Sequence, residues 1–336
     1  MENLDLTIST DDAIDALVAD LRARVAEARA EGLIFGLSGG LDSAVLAALA
    51  VRAVGPAGCT AVYMGDRVSE PELDRKARRV AEALGLDLER RDITADLVGT
   101  GVYRPLFLRL LQVSPLVARL SSASYWRICR ENPFRSSLRA GGGERLRPWY
   151  KRLLFDFSMR QVDAGFRVRH IFRRTLLEEM AASRNLLPVG AANRSECEVG
   201  WFVKDGIDDL PYQPMTGLLK TQLRQLAVAL DIPPDIVAQK PSPDMARGVT
   251  DEFGIGHDYA VIDTVIDALD RGLSEDAIAG LGIAPAEVED IRALMRLSAW
   301  KRGPVRILPP VDGRFGSPIR ARGARRLPAG AATASS

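Results

Sequence analysis

Ser38, Asp42 and Ser43 surround a glycine pair in Ser38-Gly39-Gly40-Leu41-Asp42-Ser43. An apolar run, residues 33–37, comes before this turn, and a run of Ala, Leu and Val with helical character follows it. Two hydroxyls, amides bared by glycine, and the open N–H groups and positive end of a helix make an anion site suited to a phosphate chain. A carboxylate in the same turn can hold a hard cation such as magnesium, whose other ligands are then phosphate oxygens. The turn lacks the lysine of a Walker A loop, which excludes that class. Lys220 is a second candidate: it opens an expected helix, where its charge opposes the helix dipole, and this favours a ligand role.

The elements that must position these residues follow from periodicity. Ser9-Thr10-Asp11-Asp12 reads as a helix cap, with Ile14, Leu17, Val18, Leu21 and Val25 behind it at helical spacing. Strands are predicted at 33–37, 59–64, 86–93 and 186–190, and helices at 70–84, 168–183, 220–230, 259–269, 274–281 and 285–299. This alternation predicts an α/β fold, a parallel sheet with helices on both faces and the ligand beyond the carboxyl ends of the strands.

Composition narrows the class. The 336 residues are 47% hydrophobic and 26% charged, ordinary for a globular chain with a sizeable core. No run approaches the ~20 apolar residues of a membrane span, and the acidic N-terminus does not read as a signal peptide. Cys59, Cys129 and Cys197 have neither metal nor disulfide spacing, so a cytoplasmic location with reduced thiols is expected. His170 and His257 are the only histidines, which excludes a histidine-rich metal site. The net charge of +1 hides an asymmetry, because residues 101–160 carry twelve Lys/Arg against three Asp/Glu. That basic stretch is interleaved with Tyr103, Phe107, Tyr125, Trp126, Phe134, Trp149 and Tyr150 and broken by Gly141-Gly142-Gly143, and it reads as short helices around a flexible loop. Clustered arginine and aromatics fit nucleic acid, an acidic dinucleotide or a dimer interface, and nucleic acid is the least favoured of the three.

Further motifs follow in order: Gly190-Ala191-Ala192-Asn193-Arg194-Ser195-Glu196, Gly200-Trp201-Phe202-Val203-Lys204, Pro214-Met215-Thr216-Gly217-Leu218-Leu219-Lys220-Thr221-Gln222, Lys240-Pro241-Ser242-Pro243-Asp244-Met245, Thr250-Asp251-Glu252 and Lys301-Arg302 with Pro309-Pro310. With the SGGxDS loop of the PP-loop ATP pyrophosphatases, this series resembles the NAD synthetase family, specifically its ammonia-dependent synthetase type. The resemblance spans about residues 10–318 except 101–165. It implies a three-layer PP-loop fold like that of the adenine nucleotide alpha hydrolases. Residues 1–318 would form one synthetase domain carrying 101–165 as an insertion, and 319–336 a disordered tail.

The resemblance also implies roles. Gly36, Ser38, Gly39, Gly40 and Ser43 would cradle ATP and pyrophosphate, and Asp42 and Glu196 would share Mg2+. Lys220 and Ser242 would contact phosphate and offset charge as pyrophosphate leaves. Arg169, Arg173, Lys204, Asp208 and Asp209 would bind the acyl substrate, and Asp251 and Glu252 would belong to a lid. The implied reaction is adenylation of a carboxylate, deamido-NAD, followed by ammonia transfer to give NAD, AMP and pyrophosphate. No glutaminase precedes Met1, so ammonia is expected free or from a separate partner, and the chain is expected to be a homodimer. Some positions depart from the family: Ala191 replaces a threonine, and the family's KYGDGGAD run becomes the shorter Lys204-Asp205-Gly206-Ile207-Asp208-Asp209. These departures keep open an adenylating ligase acting on another carboxylate or amine in a specialised pathway. An RNA-modifying enzyme of the same superfamily ranks below it.

Overall fold

Four short strands pair in parallel in the order β3-β2-β1-β4, with β1 at Gly32–Gly36, β2 at Cys59–Gly65, β3, a charged edge strand, at Leu88–Asp92 and β4 at Leu186–Val189. The computed structural model describes residues 4–111, 114–242, 250–303 and 309–311. Expected residues Pro243, Asp244 and Met245 and the tail at 319–336 lie outside them. In register, Leu33 pairs with Cys59 on one side and Leu187 on the other.

The two-residue period of a strand divides β1 between two cores. Leu33 and Phe35 pack with α1 (Thr10–Ala28), α2 (Leu41–Val54) and α3 (Pro71–Leu84), through Leu17, Leu21, Leu46 and Val80. Ile34 faces the other way, with Val62 and Met64, toward Leu97 of α4 (Thr94–Gly99) and toward Leu177. The result is a sheet layered between helices, as the alternation predicts.

The basic segment folds into α5 (Leu106–Leu111), α6 (Pro115–Cys129), α7 (Pro133–Gly141) and α8 (Trp149–Phe157), and α9 (Met159–Ser183) returns the chain to the sheet. One expectation changes here. The helix expected from 168 begins at Met159, because Gly165 is a close-packing site and not a boundary: a Cβ there would lie 3.0 Å from Leu108 Cδ1. The glycine run ends α7 as expected, with Gly142 as its C-cap, and it is also tightly packed. A Cβ at Gly141 would stand 2.4 Å from the Trp300 ring, whose indole N–H donates to the Leu138 carbonyl at 3.1 Å.

After β4 come α10 (Arg194–Val199), α11 (Lys220–Ala229), α12 (Pro234–Val237), α13 (Asp251–Ile255), α14 (Tyr259–Asp270), α15 (Glu275–Gly280) and α16 (Pro285–Leu297). Helices α13 to α16 share a separate core, including Ile262, Ile266, Ile291 and Leu294, that presses α14 against α10 and α11. Among the described residues no helix is long and apolar enough to cross a membrane.

Candidate active site

The glycine-rich turn leaves the carboxyl end of β1 and enters α2. Gly39 has φ +81°, and a Cβ on it would lie 2.3 Å from the Leu73 carbonyl oxygen, so only glycine fits. Ser43 Oγ accepts the Ser38 N–H at 3.2 Å and donates to the Gly40 carbonyl at 3.0 Å, which draws the turn closed. Gly40 is the N-cap of α2 without a capping side chain, so the first N–H groups of that helix are left for a ligand. Gly36 ends β1 beneath Ile207 and Met64.

Asp42, in the first turn of α2, meets two residues from the second half of the chain. Lys220 Nζ lies 2.5 Å from Asp42 Oδ2 and 3.2 Å from Glu196 Oε1. Asn193 caps α10 by accepting the Glu196 N–H at 3.0 Å, and its amide donates to Asp42 Oδ2 at 3.4 Å. Asp251 completes the cluster. The Tyr259 hydroxyl donates to Asp251 Oδ2 at 3.3 Å and lies 3.5 Å from Glu196 Oε1, while the Lys220 ammonium sits 5.2 Å from the Tyr259 ring centre. Asp251, expected on a lid, begins α13 and is 5% exposed, inside the cluster. Its partner Glu252 accepts the Tyr259 N–H at 3.4 Å. Ser242 follows Pro241, whose carbonyl accepts the Asp251 N–H at 2.9 Å.

Three acids surround one buried cation. Burial pushes the Glu196 carboxyl well above the ordinary range; Lys220 opposes this, and Asp42 and Asp251 add to it. Burial raises Asp251 to about 6 against the pull of Lys220. For Lys220, burial works against the charge but is outweighed by Asp42, Glu196 and Asp251, which hold its pKa above the ordinary value. Asp42 Oδ1 is buried without a hydrogen-bond partner. An unpartnered carboxylate oxygen in an acid-rich cluster beside a phosphate loop fits a magnesium ion that draws its other ligands from phosphate and water. Among the described residues no group of three or more His, Cys, Asp or Glu is arranged to hold a metal by itself, so such an ion would need those outside ligands.

The expected acyl-substrate residues lie elsewhere. Arg169 is 1% exposed and donates to Asp66 Oδ2 at 2.7 Å, and Arg173 donates to the Met64 carbonyl at 3.0 Å. Both are held by residues at the carboxyl end of β2. Lys204 and Asp208 line a cavity of about 910 Å3 with Trp201, Phe202, His170 and Lys301. Within it, Asp208 faces His170 Nδ1 at 2.5 Å and accepts the Val203 N–H at 3.1 Å. Lys204 donates to the Lys301 carbonyl at 3.4 Å. Asp209 accepts the Asp205 N–H at 2.9 Å and is not among the cavity residues. Sequence reasoning gave no role to Asn193, Tyr259 or Asp263. The available signal was Asp263 itself, a carboxylate on the apolar face of an amphipathic helix.

A parallel sheet with a phosphate loop at the carboxyl end of its central strand, facing a lysine held by two carboxylates, defines a nucleotide-handling α/β protein of the PP-loop kind. Residues 13–100 and 157–305 match the model of the NAD synthase family, more than half of the chain, so this protein belongs to that family, a family of ligases. It is 30% identical over 286 residues to the NH3-dependent NAD+ synthetase of Thermotoga maritima, covering 84% of this chain and 94% of the relative. The Rhizobium meliloti protein of the same name is 30% identical over 325 residues, covering 91% and 95%. Among solved structures, the fold is shared with the NMN synthetase of Francisella tularensis (TM-score 0.61, 22% identity, 90% of this chain and 99% of that one). It is also shared with the NH3-dependent NAD synthetase of Campylobacter jejuni (TM-score 0.59, 18% identity, 90% and 100%).

Proposed function

We propose that this chain is an ATP-dependent amide ligase that adenylates the carboxylate of deamido-NAD and passes the acyl group to ammonia. The observation that carries the reading is the meeting of phosphate-loop Asp42 with Glu196 on one ammonium, Lys220, with Asp42 Oδ1 left over. The names of the Thermotoga and Rhizobium relatives support the choice of substrate.

In this reading the turn Ser38–Ser43 grips the triphosphate through hydroxyls and the open amides of α2. A substrate carboxylate oxygen attacks the α-phosphorus, the bond to pyrophosphate breaks, and an acyl-adenylate forms. Ammonia then attacks the acyl carbon, the bond to AMP breaks, and loss of a proton leaves the amide. Asp42 and Glu196 would hold magnesium, which neutralises phosphate charge and steadies the leaving pyrophosphate when bound. Lys220 would transfer its charge from those carboxylates to the departing phosphate, and Ser242 would contact the same phosphate. No protein nucleophile is needed, so positioning and charge supply the acceleration.

The remaining assignments belong to the same proposal. Ammonia arrives free or from a separate glutaminase, and the protein acts in the cytoplasm. Residues 1–318 act as one synthetase unit with 101–165 inserted, in keeping with the family model's silence over 101–156. The chain works as a homodimer through that segment, where Leu106, Leu116, Trp126, Trp149, Leu153 and Phe157 are each more than half exposed.

A second reading keeps the chemistry and changes the carboxylate. Asp208 is taken up by His170 and Val203, and Lys204 by the Lys301 carbonyl, so the expected contacts to a dinucleotide are not standing ready. A mononucleotide carboxylate is then the alternative, and the fold shared with the Francisella NMN synthetase makes it the first to try. Purified protein given ATP, magnesium, ammonium and either deamido-NAD or nicotinate mononucleotide separates the two by kcat/KM. Preference for the dinucleotide supports the first reading and preference for the mononucleotide the second. AMP formation with neither sends the search to other carboxylates.

A further inference from the structure

A carboxylate that the chemistry above does not use lies directly behind the cluster. Asp263 is 0% exposed on α14, whose other buried residues include Tyr259, Ile262, Val265 and Ile266 and a second carboxylate, Asp267. A buried carboxylate must be hydrogen-bonded to persist in such a place. Asp263 accepts the Ser195 hydroxyl on Oδ1 and the Thr221 backbone N–H on Oδ2, the latter at 2.8 Å. Ser195 Oγ in turn accepts the Lys220 backbone N–H at 2.9 Å. Ser195 precedes Glu196 and Thr221 follows Lys220, so a single carboxylate joins the starts of α10 and α11.

Helix α11 needs this help. Its N-cap is Leu219, which offers no capping oxygen, and its first residue is a lysine that opposes the helix dipole. Asp263 and Ser195 supply from other helices both the missing acceptors and the negative charge. The α10 end is fastened to the same helix a second time, by the ion pair of Arg194 with Asp270 at 2.6 Å.

We infer that Asp263 is a positioning residue of the adenylation site, which by clamping Ser195 and Thr221 sets where the Lys220 ammonium stands relative to Glu196 and Asp42. It touches no reacting atom. The inference rests on the reading of this cluster as the site of magnesium and triphosphate. Ammonium-to-carboxylate distances of 2.5 and 3.2 Å leave little slack, and misplacement by an ångström is costly in a site that works by alignment.

The test uses Asp263→Asn, which keeps the shape but cannot accept from Ser195 and Thr221 at once. Binding of magnesium-loaded α,β-methylene-ATP, by titration calorimetry, is expected to weaken by about 10-fold, and kcat for AMP formation to fall by ~10–100-fold with KM for ammonium unchanged. Ser195→Ala should reproduce both losses, and the double variant should lose no more than either alone. Asp267→Asn is the control: Asp267 lies on the same helix, is 1% exposed and pairs with Arg271 at 2.6 Å, and its loss should lower Tm but leave binding and kcat intact. The inference is overturned if Asp263→Asn melts early yet binds the analogue and turns over like the wild type. Should that variant not fold, Ser195→Ala decides by the same measurements. Wild-type protein that binds the analogue but makes no NAD would remove the deamido-NAD reading while leaving the clamp to be judged on binding. Wild-type protein that does not bind it would remove both.

Discussion

Among the described residues, Lys220 is the one ammonium facing Asp42, Glu196 and Asp251, on a side chain that is 3% exposed. Lys220→Met should therefore lower unfolding free energy by about 3–5 kcal/mol, because it leaves buried charge without its counter-ion. The same variant should slow AMP formation by ~10²–10³-fold. Urea unfolding and a pyrophosphate assay check the two effects, and loss of activity alone, at full stability, would contradict the electrostatic account. Asp251 gives a pH signature. Its pKa is 3.8 in the open chain and about 6 when buried, so the folded form holds the proton more tightly and stability falls as pH rises through that window. Asp251→Asn does not titrate and should gain on the wild type between pH 4 and 6, by roughly 3 kcal/mol at most. A constant difference across those pH values would refute the assigned burial. Asp42, Glu196 and Lys220 were legible because each sits in a motif whose order is informative. Tyr259 and Asp263 were not, because aromatic and apolar-face positions of a helix carry the pattern of a core.

The element that matters most is the turn from β1 to α2. Gly39→Ala forces a β-carbon onto the Leu73 carbonyl of α3 at a positive φ, at a cost of about 1–3 kcal/mol, and should slow pyrophosphate release at least ~10-fold. At Gly40, by contrast, φ is −88° and the nearest atom to an added Cβ is Ser38 Oγ at 3.4 Å, so Gly40→Ala should melt near the wild type. Equal melting temperatures for the two variants would show that the turn is not held as described. The strands, α1, α2, α3, α11, α14, α15 and α16 were readable from apolar periods and caps, with ends shifted by a residue or two, whereas the short α12 and α13 span too few turns to show a period. The start of α9 was misread. Gly165 is a glycine because Leu108 approaches its backbone, and sequence does not distinguish that need from a break.

On the scale of the whole molecule, helices α5 to α8 account for part of the charge of residues 101–165. Glu131, 8% exposed, gathers Arg139 at 2.7 Å and Lys151 at 2.5 Å, and Arg135 pairs with Asp290 at 2.6 Å, so several of the basic groups serve the fold. The apolar side chains left outside lie on α5, α6 and α8, which pack together. If that face joins two copies, sedimentation should give the mass of two chains, and Trp149→Glu with Leu153→Glu on α8 should give one. A monomeric wild type would contradict the dimer.

Activation of the carboxylate by ATP as an acyl-adenylate is tested directly by an oxygen label. With deamido-NAD labelled by 18O in both carboxylate oxygens, mass spectrometry of the products should find one 18O in AMP and one in the NAD amide. Label appearing in inorganic phosphate, with ADP in place of AMP, would mean an acyl phosphate and would contradict the role given to the phosphate loop, Asp42, Glu196 and Lys220.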